Sequence, residues 1–85
     1  MPAATSPWRV NDVVTYDRMR EAAIHLTALL AAVARADDPA AGAARDELTA
    51  LHREVHAVDA FDRAAVAALA ERIDGRIREL DRVAR

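Results

Sequence analysis

Apolar residues recur every three or four positions in three blocks of this chain, with short polar breaks between them. Tyr16, Met19, Ala23, Leu26, Leu30 and Val33 form the first stripe. Leu48, Leu51, Val55 and Val58 form the second, and Val66, Leu69, Ile73, Ile77, Leu80 and Ala84 the third. Steps of three and four place each set on one side of an α-helix. The first helix is expected to start between Asn11 and Thr15, each able to cap, and to run to about Ala36. Asp37-Asp38-Pro39 then breaks the pattern: the residue before a proline is pushed out of helical geometry, and Pro39 suits a first helical position. A second helix is expected from about Pro39 to Ala57, weakened by Gly42 in its first turn. A third is expected from about Ala60 to Ala84, capped by Asp59, with Asp62 at its positive end and Arg78, Arg82 and Arg85 at the other. Asp74 with Arg78, and Asp81 with Arg85, are spaced for ion pairs along that helix. Linkers this short turn each helix back on the last. The expected fold is all-α, an antiparallel three-helix bundle over residues 12–85, preceded by a short N-terminal arm at 1–11 that holds Pro2 and Pro7.

Composition adds that the core is thin. The chain has 85 residues, room for one domain. Its apolar content is 53%, but 22 residues are alanine and there is one each of Trp, Tyr and Phe, so the transfer energy gained on folding is small. Stability on the order of 4–13 kcal/mol is expected if the domain folds alone. A thin core favours completion by a partner or by a second copy of the chain.

Charge and cysteine content remove several classes. All 12 basic residues are Arg, a pattern that with the alanine excess points to a GC-rich bacterial coding bias. The net charge is −2 and the pI about 5.8, which argues against a general partner in nucleic acid or an anionic membrane surface. Without cysteine there is no disulfide, thiol nucleophile or cysteine zinc site. No apolar run approaches a bilayer span, and the opening residues have neither basic nor apolar signal-peptide character, so a cytoplasmic location is expected.

Candidate chemistry is sparse. His52 and His56 lie four apart on one helix face and could approach a metal, but Glu54 does not directly follow the first histidine as in metalloprotease helices, and two ligands do not close a zinc site. His25 falls away from the first stripe. These three are expected to be surface or boundary histidines, with no metal and no cofactor. Ser6, Thr5, Thr15, Thr27 and Thr49 stand in no nucleophile elbow, and two glycines build no phosphate loop. No catalytic residue is assigned, and the chain is expected not to be an enzyme. Arg53-Glu54 faintly resembles the all-helical chorismate mutases, but the arginines with which that family holds its dicarboxylate are missing from the first helix's inner stripe.

What remains is apolar surface beside the main stripes. Val13, Ile24, Ala28 and Ala31 fall on a separate flank of the first helix, with Trp8 and Val10 in the arm next to it. Exposed Trp, Tyr, Ile and Arg of this kind mark binding patches. The alternative is that Trp8 plugs the bundle end and Ile24 packs against the third helix. Val14-Thr15-Tyr16-Asp17-Arg18, near the start of a long first helix, resembles the opening of epsilon-type antitoxins, small three-helix proteins that silence zeta-type kinases. The resemblance covers five residues together with length and architecture. It implies that the first helix, with Tyr16, Asp17 and Arg20, faces a nucleotide-binding toxin encoded nearby. The expected function is therefore non-catalytic protein binding, as an antitoxin-type inhibitor, through Trp8, Val13, Tyr16, Asp17, Arg20 and Ile24. A homo-oligomeric structural module is the alternative, and a chorismate-mutase-like enzyme stands third.

Overall fold

The structure, a computed structural model, describes residues 8–84, and the side chains of residues 12–83. It is a three-helix bundle: α1 (Trp8–Arg35), α2 (Ala41–Ala57) and α3 (Arg63–Ala84), with no strand among the described residues. Ion pairs give the directions. Asp12 meets Arg63 and Arg18 meets Asp74, so α1 and α3 run the same way. Glu54 meets Arg72 and Glu47 meets Arg76, so α2 runs against α3.

α1 starts earlier than expected. Residues 8–11, read as part of an arm, are helical. Nothing in Trp8-Arg9-Val10-Asn11 opposes a helix, because proline disrupts at and before its own position, Pro7 precedes these residues and the next proline is Pro39. At 28 residues, α1 spans about 42 Å. The other two starts shift the opposite way, inward by two or three residues. Asp38 does not cap α2 directly. Its Oδ1 accepts from the Ala40 N–H at 2.7 Å and its carbonyl from the Ala41 N–H at 2.9 Å. Pro39 and Ala40 are thereby held in a turn, and the helix begins at Ala41. Asp59 makes a similar local turn, its Oδ1 accepting from the Phe61 N–H at 2.9 Å. The cap of α3 is Asp62, whose Oδ1 accepts from the Ala65 N–H at 3.0 Å. Two aspartates three apart competed for that role. Asp62 holds it because Asp59 bends the chain one turn earlier.

The core lies where the stripes placed it. Met19, Ala23, Leu26 and Leu30 of α1 meet Leu51 and Val55 of α2 and Val66, Leu69, Ile73 and Ile77 of α3. Ala44 and Ala70 join them. Tyr16, Val33, Leu48, Val58 and Leu80 are half-buried at the margins. Ala84, the last of the third stripe, lies outside the described side chains.

The packing is uneven. α1 packs closely against both other helices, whereas no described Cα of α2 comes within 8 Å of one of α3. Long side chains span that gap instead. Arg76 donates from Nε to Glu47 at 2.7 Å and from a second nitrogen to the other Glu47 oxygen at 2.9 Å. Arg72 donates to Glu54 at 2.7 Å. They border a hollow of about 170 Å³ floored by Leu26, Leu51, Leu69 and Ile73. Hydrogen bonding to Glu47, partly offset by burial, raises the Arg76 pKa above the ordinary arginine range. The expected pair between Asp74 and Arg78 does not form: Asp74 turns to α1 and pairs with Arg18 at 3.1 Å. The pair proposed for Asp81 involves Arg85, which is outside the described residues.

Candidate functional site: the groove between α1 and α2

The side of α1 turned toward α2 is open. Between the two helices lies a hollow of about 390 Å³. Ala23, Leu51 and Val55 make its floor, Arg20, Ile24 and Thr27 line the α1 wall, and His52 and His56 form the α2 wall. The local cause is residue size. Ala23 is the small member of the α1 stripe, so the wall of α1 stands back from Leu51 and Val55. Ile24, one position further around the helix, projects beside the depression and is 65% exposed.

A second hollow, of about 210 Å³, sits further toward the start of α1, where the chain leaves α2. Val13 and Tyr16 face Ala60 and Phe61 there, with Asp12 beneath. Val13 is 49% exposed and Phe61 67%. From Val13 to Thr27, the two hollows follow one side of α1 for about 21 Å, some four helical turns.

The expected binding residues divide between these places. Arg20 and Ile24 line the larger hollow, and Val13 and Tyr16 the smaller. Ile24 does not pack against α3. Tyr16 is half-buried against the core, so its ring has a structural task as well. Asp17 is exposed and has no ion-pair partner among the described residues. Trp8 begins α1, but its side chain lies outside the described ones. Of the residues that carry the antitoxin resemblance, Arg18 points to α3, 3.1 Å from Asp74 and 3.7 Å from Glu71.

Sequence reasoning did not assign His52, His56, Thr27 or Phe61 to the site. A signal for the histidines was present: each directly follows a stripe member, Leu51 or Val55, which puts it on the flank beside the floor. Both are exposed, as expected, and neither imidazole has a hydrogen-bond partner among the described residues. Ligating and proton-transferring histidines are normally oriented by such a partner. Among the described residues no three histidine, aspartate or glutamate side chains converge as metal ligands. No helix there is long and apolar enough to cross a membrane.

Comparison with protein-family models, with curated proteins and with solved structures finds no match to this chain.

Proposed function

We propose that this chain is a non-catalytic protein-binding module, an antitoxin-type inhibitor whose partner lays a helix along the α1–α2 groove. The observation that carries the docking surface is Ile24. A large aliphatic side chain stands exposed at the edge of an apolar depression floored by Leu51 and Val55. Leaving two-thirds of it in water forfeits roughly 1–2 kcal/mol that burial would return. The shape favours a helix as occupant. A hollow between two helices, continued along α1 by a second hollow against Ala60 and Phe61, accepts a third helix in the way bundles add members. The inhibitor assignment has a separate basis, the resemblance of residues 14–18 to epsilon-type antitoxins, and it makes the partner a nucleotide-binding toxin.

The test is co-purification from the native host with wild-type and Ile24→Asp chains, each checked by circular dichroism. The expected result is a stoichiometric complex with the wild type, its loss in Ile24→Asp at unchanged helicity, and inhibition of the captured enzyme by the wild type alone. A complex that survives Ile24→Asp would place the interface elsewhere. Capture of the chain's own copies alone would favour a homo-oligomeric module. Tyr16→Asp is unsuitable as an interface probe, because it would place a charge against the core.

A further inference from the structure

The charges of α2 are sorted by side. Two of its three carboxylates, Glu47 and Glu54, turn toward α3, where Arg76 and Arg72 neutralise them at 2.7 Å; the third, Asp46, is exposed and lines neither of the hollows on the other side. On the opposite side, the hollow shared with α1 is lined by Arg20, His52 and His56 and by no carboxylate. A neighbouring depression on α2, of about 580 Å³, is lined by Thr49, His52, Arg53, His56 and Ala57, again with no carboxylate. Arg20 and Arg53 have no ion-pair partner among the described residues. The acidic groups nearest in sequence on α1 are Asp17 and Glu21, both exposed and neither lining either hollow. A chain of net charge −2 thus keeps two arginines without an ion-pair partner, and two histidines, around an apolar groove that no carboxylate lines.

From this sorting we infer that the groove selects an acidic amphipathic helix. Its apolar face fills the floor over Ala23, Leu51 and Val55, and its flanking Glu or Asp side chains meet Arg20, His52, Arg53 and His56. The inference rests on the docking surface proposed above and adds the chemistry of the occupant. Arginine supplies charge-assisted, forked donors to carboxylates. Each imidazole can offer an N–H to a carboxylate in either charge state. Complementary charge also rejects basic helices, since like charges brought together across an interface oppose binding.

Two synthetic helices of about 18 residues test this, long enough to cover the groove at 1.5 Å per residue. They share one Leu/Ala face and differ only in flanking Glu or Lys. Each is titrated into the isotope-labelled full chain, with amide shifts followed by NMR. The Glu helix is expected to shift the resonances of Arg20, Ile24, His52 and His56 and to bind about tenfold tighter than the Lys helix at low salt. That preference should shrink as salt is raised and reverse in the triple variant Arg20→Glu/His52→Glu/His56→Glu. Equal binding of both helices in the groove would overturn the acidic preference and leave the docking surface standing. Failure of both helices to shift groove resonances would overturn the docking surface, and the preference with it. Concentration-dependent shifts of the same residues without peptide would assign the groove to a second copy.

Discussion

Asp12 is 5% exposed, and its Oδ1 accepts no hydrogen bond although the Arg63 Nε lies 3.2 Å away. The contact is one of charge without N–H alignment, so Arg63 is what keeps this carboxylate compatible with its surroundings. Arg63→Ala should destabilise the chain by about 1 kcal/mol, held to the low end because Arg63 itself is largely in water. Adding Asp12→Asn should restore most of the loss. Urea denaturation of the single and double variants measures both, and an Arg63→Ala chain as stable as wild type would show that the pair does nothing. Gly75 is a residue of the opposite kind. It sits inside α3, and a Cβ there would meet nothing closer than the mobile end of Arg78, at 3.7 Å. No close helix approach requires the glycine. Gly75→Ala should therefore stabilise the fold by roughly 0.5–1 kcal/mol, visible as a raised melting temperature.

At the scale of elements, short aspartate bonds set the starts of α2 and α3. Asp62 caps α3, and Asp62→Ala should cost about 1 kcal/mol, while Asp59→Ala should cost less because its bond serves the turn. Thermal melts of the two variants compare them, and equal losses would mean that Asp62 is not the effective cap. The junction of α2 with α3 depends on arginines. The two-pronged Arg76–Glu47 contact is the better formed of the two pairs, so Arg76→Ala should cost more than Arg72→Ala, by roughly 0.5 kcal/mol. The raised Arg76 pKa works in the stabilising direction below the ordinary arginine range and is lost only as pH rises through the folded value. Titration of Arg76 therefore adds no stability change around neutral pH, whereas added salt should weaken the pair.

For the whole molecule, Leu26 is the point where all three helices meet: it is buried in the common core and reaches the hollow between α2 and α3. Leu26→Ala should cost about 3 kcal/mol. Against a total on the order of 4–13 kcal/mol, that is a substantial share. Denaturant midpoints at a constant slope would measure it. A loss below about 1 kcal/mol would show that neighbouring side chains collapse into the space. A core with so little reserve also explains why an uncovered Ile24 matters: the apolar surface left in the groove is appreciable beside the surface buried within.

The fold was legible because helix periodicity is local. The spacing of Met19, Leu26 and Leu30, or of Val66, Leu69 and Ile73, fixes which side of each helix turns inward whatever lies opposite. Short linkers then fix the antiparallel order. Boundaries were less legible, because Asp59 and Asp62 have the same chemistry and only the path of the chain between α2 and α3 distinguishes a turn from a cap. Ion pairs were less legible still. Asp74 had a partner four residues away in Arg78 and took Arg18 from across the bundle, since side-chain geometry in three dimensions overrides sequence spacing. The groove belongs to the same class. Ile24 and Arg20 were marked by their place off the stripe, but His52, His56 and Phe61 joined them only when two helices were laid side by side. Sequence by itself determined the helices and their inward faces, because those depend on neighbours three and four residues away. Tertiary structure decided the open α1–α2 groove, the bridged gap between α2 and α3 and the sorting of charge between them, because those depend on how far apart the helices come to rest.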